Sequence, residues 1–208
     1  MSEYHKIQTV YKRDPENKCK TLLLGEYSMP EFEYLANNVW RYTEKVDGTN
    51  IRIIFDGETI NYGGKTDNSQ IPMQLVNPLR EKFDPLLSVM REKFPDGCVL
   101  YGEGYGAKIQ KGGGNYRKDQ GFVLFDVNVG GYWLLEKDVI DVSECLDIDI
   151  VPVIGEGSLD AMVAMTEIGF KSMWGDFLAE GIVARPKTEF LTRNGQRIIT
   201  KIKHKDFK

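Results

Sequence analysis

A lysine held beside a glycine turn is the group in this sequence best suited to covalent chemistry. The stretch Tyr42-Thr43-Glu44-Lys45-Val46-Asp47-Gly48-Thr49-Asn50-Ile51-Arg52 sets Lys45 in a K-x-D-G pattern, directly ahead of the alternating run Ile51, Ile53, Phe55. Strand-like residues on both sides would hold the lysine on a rigid edge. Gly48 lets backbone approach a ligand closely or adopt positive φ. A lysine so placed becomes a nucleophile once its ammonium gives up a proton. The plainer reading of these residues is a surface lysine beside a hairpin turn, because a four-residue pattern with free positions is a weak signal.

Four further stretches follow in order: Tyr101-Gly102-Glu103-Gly104-Tyr105-Gly106, Gly121-Phe122-Val123-Leu124-Phe125-Asp126-Val127, Ala179-Glu180-Gly181-Ile182-Val183-Ala184-Arg185 and Lys201-Ile202-Lys203-His204-Lys205-Asp206-Phe207. Together with K-x-D-G this set resembles the covalent nucleotidyltransferases, the polynucleotide ligases and mRNA capping enzymes. Thr49-Asn50 and the closing K-x-K-x-x-x-F resemble the ATP-dependent RNA ligases most, especially the phage type that seals RNA nicks. The resemblance runs from about Lys45 to the end of the sequence.

The resemblance implies an α+β nucleotidyltransferase (adenylation) domain, with two mainly antiparallel sheets, flanking helices and a nucleotide pocket between the sheets. It implies ATP as the nucleotide and Mg²⁺ or Mn²⁺ as the metal. Lys45 would take AMP from ATP, pass it to an RNA 5′-phosphate, and a 3′-hydroxyl would then displace it. Lysine has an ordinary pKa near 10.4, so Lys45 would need neighbours that disfavour its proton. Lys201, Lys203 and a bound metal would do this by like-charge repulsion. Lys201 and Lys203 flank Ile202, so in a strand they share one face, as a phosphate clamp requires. Asp47, Glu103 and Glu180 are the candidate metal-shell carboxylates, since Mg²⁺ takes oxygen ligands and keeps waters. By resemblance Glu180 would hold the metal, Glu103 would bond the ribose hydroxyls, and Phe125 would stack on adenine. Glu44 and Asn50 would join the nucleotide-binding set, Asn50 near the transferred phosphate. Lys65 falls where the family usually has an arginine, and lysine lacks the bidentate fork.

Each of these residues has a plainer reading. Isolated acids are usually solvated, Phe125 would be core, and Lys201 and Lys203 would be the polar face of an edge strand. The segment from Tyr105 to Gly114 is basic and glycine-rich. It would bind polyphosphate or an RNA backbone, or be a plain flexible loop. It lacks the spacing of a P-loop.

Composition bounds the rest. With 208 residues, 41% hydrophobic and 28% charged, the chain is an ordinary globular sequence. No apolar run reaches the ~20 residues of a membrane span, and no signal-peptide core opens the sequence. We therefore expect a cytoplasmic protein, in the host cytoplasm if phage-encoded, and no membrane partner. Cys19, Cys98 and Cys145 are far apart and lack C-x-x-C spacing, which predicts reduced thiols and no zinc site. His5 and His204 are too few for histidine triads. Net charge is −4, yet Lys108, Lys111, Arg117 and Lys118 form one basic patch and the run from Arg193 to Lys208 another. These patches would hold RNA ends, nicked or duplex-aligned, on an acidic protein.

The elements that must position these groups follow from periodicity. Leu22-Leu23-Leu24 predicts a short buried strand and Pro30 to Leu35 a short helix. Trp40 and Tyr42 alternate as in a half-buried strand. Ile51 to Phe55, Asp56-Gly57 and Glu58 to Tyr62 predict a hairpin. Asn77-Pro78 predicts the start of a helix reaching Phe94, kinked or divided at Pro85. Val99 to Glu103, Phe122 to Val127, Val151 to Ile154, Gly181 to Ala184 and Ile198 to Ile202 predict strands. Tyr132 to Leu135 predicts a strand returning from the Gly130-Gly131 turn, and Glu136 to Cys145 a helix. Ser158 caps a further helix that Gly169 ends. We expect a monomer with a single nucleotidyltransferase domain over 1–208. Residues 1–38 would form an N-terminal extension packed on it, with no C-terminal OB or other domain, and an accessory RNA-binding protein would aid sealing. Two other functions fit the same motifs: a DNA nick ligase, and a non-catalytic nucleotide or RNA-end binding module.

Overall fold

A computed structural model describes residues 3–208. They fall into two compact units. One comprises Asp47–Val151 with the described residues up to His5; the other comprises Lys6–Val46 and Pro152–Lys208. In chain order the strands are β1 (Gln8–Thr9), β2 (Tyr11–Arg13), β3 (Leu22–Tyr27), β4 (Trp40–Glu44), β5 (Thr49–Phe55), β6 (Ile60–Gly63), β7 (Cys98–Gly106), β8 (Gln120–Val129), β9 (Tyr132–Trp133), β10 (Val153–Gly157), β11 (Gly181–Pro186) and β12 (Thr200–Lys203). The helices are α1 (Pro30–Tyr34), α2 (Met73–Phe83), α3 (Leu87–Lys93), α4 (Gly113–Tyr116), α5 (Glu136–Cys145) and α6 (Leu159–Ile168). The α+β class is as expected. No helix among the described residues is long and apolar enough to cross a membrane.

The 47–151 unit is a five-stranded antiparallel sheet in the order β6-β5-β7-β8-β9. The β5–β6 hairpin closes where the Asp56 carboxylate accepts from the Glu58 and Thr59 amides at 2.9 and 2.7 Å. Alternation on β5 sends Ile51, Ile53 and Phe55, all fully buried, onto the face where Leu75, Leu79, Phe83 and Met90 pack. Each such side chain contributes ~1.5–3 kcal/mol by leaving water. The opposite face carries the polar residues of the same strands. Across it the register aligns Asn50 with Glu103 and Arg52 with Tyr101. Gly130-Gly131 turns β8 into β9, both at positive φ, and β9 ends at Trp133 instead of reaching Leu135.

Two boundaries depart from expectation here, while the division at Pro85 is as expected. Helix α2 begins at Met73, behind Pro72, and Pro78 lies inside it. Leu75, fully buried, extends the apolar face one turn ahead of Leu79, and burying it outweighs the backbone bond that Pro78 cannot make. Pro85 falls in a 3₁₀ turn, Asp84–Leu86, which divides the predicted helix into α2 and α3. Val151 is not in a strand, because its amide donates to the Leu124 carbonyl at 2.9 Å; β10 starts at Val153.

The second unit holds a five-stranded sheet in the order β1-β12-β11-β4-β10, plus the β2–β3 ribbon. Every pairing in it is antiparallel except β1 with β12. Trp40 and Tyr42 on β4 point to a core shared with Phe32, Leu159, Met162, Ile182 and Ile202. The indole N–H of Trp40 donates to the Leu35 carbonyl at 2.8 Å, so the largest buried ring leaves no donor unpaired. Ser158 caps α6 by accepting from the Ala161 amide at 3.2 Å, and Gly169 ends it at φ +86°. On β3 only Leu22 is buried; Leu24 is 60% exposed, because a two-stranded ribbon covers one face alone.

Candidate active site

In the second unit the antiparallel pairing of β11 with β12 sets Lys203 opposite Gly181 and Lys201 opposite Val183. Ile202 between them is fully buried, so the two lysines emerge together on the other face, as the alternation predicted. The Lys45 amide donates to the Gly181 carbonyl at 2.9 Å, which brings Lys45 alongside the same glycine. The result is a cluster of two ammonium groups around one carboxylate. Lys45 Nζ donates to Glu180 Oε2 at 2.7 Å, and Lys203 Nζ lies 2.6 Å from Glu180 Oε1. The second contact is an ion pair whose angles fall short of a hydrogen bond. Lys45 Nζ also donates to the Val46 carbonyl at 3.2 Å. The three side chains are 17%, 10% and 22% exposed, so the charges interact with little solvent screening while remaining accessible.

Glu44, one residue before the lysine, points the opposite way and is 1% exposed. Its oxygens accept from the Ser172 hydroxyl at 2.6 Å and from the Met173 amide at 2.7 Å. Burial pushes its carboxyl above the ordinary range, and these two bonds oppose that shift. Both oxygens are thus committed to the turn that leads through Ala179 to Glu180. Neither Ser172 nor Met173 could be found from the sequence, because their pairing with Glu44 spans about 130 residues with no local pattern.

In the 47–151 unit the Asp47–Gly48 turn lies directly on β7. A side chain at Gly48 would collide with the Gly104 carbonyl and come within 2.8 Å of Glu103 Cγ, so only glycine permits this approach. Asn50 sits across from Glu103, and its Oδ1 is buried with no hydrogen-bond partner among the described residues. A buried acceptor left unpaired costs ~1–3 kcal/mol, which marks it as a group meant for a ligand donor. Glu103 and Asp47 are half-buried on the same stretch. Phe125 occupies a bulge, where Tyr101 opposes Asp126 and Gly102 opposes Leu124. Its half-exposed ring meets Tyr4 edge-on at 5.1 Å, and the Tyr4 hydroxyl donates to Asp126 Oδ2 at 2.6 Å. Tyr4 was missed because the first residues carry no motif.

Lys65 is exposed on the loop after β6 and makes no ion pair among the described residues. That loop is held by Arg52, which the alternation on β5 would leave at the surface but which is 1% exposed. Arg52 donates to the Gly64 carbonyl at 2.7 Å and to Asp67 Oδ1 at 2.8 Å. Among the described residues no three His, Cys, Asp or Glu side chains gather to hold a metal. Glu180, paired with Lys45 and Lys203, is the candidate carboxylate of its own unit, and the half-buried Asp47 and Glu103 are those of the 47–151 unit; Mg²⁺ needs only one or two carboxylates and waters.

The RNA ligase family profile matches residues 38–203, and the chain belongs to that family. Among solved structures, an apo mutant of Naegleria gruberi RNA ligase is 18% identical at a TM-score of 0.66, covering 100% of this chain and 58% of that one. A mutant of the same ligase with ATP and Mn is 16% identical at a TM-score of 0.68, covering 98% and 56%. The same ligase with PPi is 18% identical at a TM-score of 0.65, covering 98% of this chain and 58% of that one. This chain thus spans less than three-fifths of the ligase structures it matches. Curated protein sequences give no match.

Proposed function

We propose that this chain is an ATP-dependent RNA ligase that joins 5′-phosphate and 3′-hydroxyl ends through AMP carried on Lys45. The observation that carries the reading is the Glu180 carboxylate clasped by Lys45 and Lys203. The Glu180 carboxylate 2.7 Å from Lys45 engages its Nζ in an ion pair, so the resting nucleophile is masked. Polyphosphate oxygens arriving at Lys203 would compete for the same cations and free the lysine. The Lys45 Nζ lone pair then attacks the α-phosphorus, the N–P bond forms, the bond to the β-phosphate oxygen breaks, and pyrophosphate leaves. Glu180 is placed to take the proton that Nζ loses. Lys203, with Lys201 on the same face, steadies the charge that grows on the phosphate oxygens. In the other unit, Asn50 and Glu103 offer acceptors for ribose hydroxyls, Phe125 offers a face for adenine, and Lys65 a cation for phosphate. Mg²⁺ or Mn²⁺ would add positive charge at the phosphates, with Glu180 in its own unit and Asp47 and Glu103 in theirs as the carboxylates available to it.

The reading is tested by intact mass after incubation with ATP and Mg²⁺. The wild type should gain one AMP. Lys45→Ala should gain none, and neither should Lys45→Arg, because a guanidinium stays protonated. Acid-stable AMP on Lys45→Ala would overturn the assignment. Sealing of matched RNA and DNA nicks then separates an RNA ligase from a DNA ligase.

A further inference from the structure

The segment 106–119 is built far more firmly than a flexible loop. Its base is closed by the Ala107 amide, which donates to the Arg117 and Asp119 carbonyls at 3.2 and 3.0 Å, and by the Gln120 side chain, which donates to the Ala107 carbonyl at 2.8 Å. Gly113 packs so tightly that a Cβ there would overlap the Gly106 carbonyl oxygen. Arg117 is internally neutralised, with two bonds to Asp119 at 2.7 and 2.8 Å and its guanidinium 5.7 Å from the centre of the Tyr105 ring. The segment is also latched to the turn that follows Lys45 in the chain. The Asp47 amide donates to the Tyr116 hydroxyl at 3.2 Å, and the Gln110 side chain donates to the Gly48 carbonyl at 3.1 Å.

The lysines stand apart from this internal pairing. Lys108 and Lys111 are exposed and form no hydrogen bond or ion pair among the described residues. Lys118 spends one donor on the Gly114 carbonyl at 3.1 Å and forms no ion pair among the described residues. Lys108 holds φ +66°, a left-handed backbone that non-glycine residues seldom adopt. Such outliers cluster at ligand clamps. A rigid frame therefore holds unneutralised ammonium groups outward on a protein whose net charge is −4.

We propose that the 106–119 segment is a seat for the phosphodiester backbone of the nucleic-acid strand being joined, with Lys108 and Lys111 as the phosphate-contacting groups. This rests on the ligase reading and adds where the polymer is gripped. The latch through Tyr116 and Gln110 fixes the seat relative to the Asp47–Gly48 turn, so a strand held there has a set position against that turn. Lysine reads phosphate as a point charge and not base identity, so the seat is indifferent to sequence.

The test uses the full chain, a nicked RNA duplex and a DNA duplex of the same sequence, with binding followed by anisotropy over a salt series. In Lys108→Gln/Lys111→Gln the slope of log affinity against log salt should shrink by about one per lysine. AMP uptake from ATP alone should stay at the wild-type level. Lys108→Arg/Lys111→Arg should keep the wild-type slope, which separates charge from fold. An unchanged slope in the Gln variant, or no RNA binding by the wild type, overturns the proposal. So does loss of ATP-only AMP uptake with RNA binding intact, which would make the segment a triphosphate seat. A larger slope change on RNA than on DNA identifies RNA as the strand. If the wild type takes up no AMP while the slope still shrinks in the Gln variant, the ligase reading fails and the seat stands.

Discussion

The two units handle charge in opposite ways. In the Lys6–Val46 and Pro152–Lys208 unit the reactive groups satisfy one another: Lys45 and Lys203 share Glu180, and Glu44 is spent on Ser172 and Met173. In the 47–151 unit some groups are left wanting among the described residues: Asn50 Oδ1 is buried without a donor, and Lys65, Lys108 and Lys111 form no ion pair. A pre-paired cluster stays inert until something competes for its charges. An unpaired surface waits for a ligand to complete it. The contrast teaches that stability and activity should respond differently to substitution in each unit.

The largest effect should come from the paired cluster. Glu180→Ala removes the group shared by both lysines and should lower AMP uptake by ~10²-fold or more, the scale for losing a preorganised transition-state group. Lys203→Ala should lower it by ~10²-fold as well, with stability changed by no more than ~1 kcal/mol in either variant. Quench-flow measurement of AMP uptake alongside thermal unfolding checks both. A collapse in stability with activity per folded molecule preserved would make the cluster architectural.

A smaller and opposite response is expected at Asn50. Replacing an unsatisfied buried acceptor by an apolar side chain removes a penalty of ~1–3 kcal/mol. Asn50→Leu should therefore be as stable as the wild type or more so, while AMP uptake falls by ~10-fold, the worth of one neutral hydrogen bond. If Asn50→Leu loses stability in urea titration, the acceptor is satisfied in the resting protein and the contrast between the units disappears.

Much of this was legible in the sequence. Lys45, Glu180 and Lys203 were singled out by the ordered motifs that carry the resemblance, and the structure brings these three side chains together. The helices from Glu136 and from Ser158 were readable because they carry local pattern. What escaped was set by distant partners. Arg52 obeys the alternation of β5 yet is buried, because Gly64 and Asp67 fold back to receive it. The start of α2 followed Leu75 and its burial instead of the proline signal at Pro78. Gln110 and Tyr116 read as ordinary loop residues, and only the structure shows them holding the Asp47–Gly48 turn.

The smallest effect concerns Glu44. Its carboxyl is raised from 4.5 by burial, so the folded state holds this proton more tightly than the unfolded chain. The associated stability is complete below the unfolded value and is lost as pH rises through the folded one. Glu44→Gln cannot titrate. Its unfolding free energy should fall less than that of the wild type as pH rises above the ordinary carboxylate value, because the other carboxylates are common to both. Parallel curves would mean that the Ser172 and Met173 bonds cancel the cost of burial.

The parallel pairing of β1 with β12 bears on how the protein is made. Strands β5 to β9 lie within residues 49–133, so that sheet can close while the ribosome is still adding later segments. The sheet carrying Lys45 cannot, since β4 has both its neighbours, β10 and β11, more than a hundred residues downstream, and β11 waits in turn for β12. Pairings of such long sequence separation form slowly. Lys45 is therefore synthesised early but acquires Glu180 and Lys203 only near the completion of residue 203. Vectorial synthesis thus withholds this charge cluster from a nascent chain, and a translation product halted before β11 would present Lys45 without its Glu180 partner.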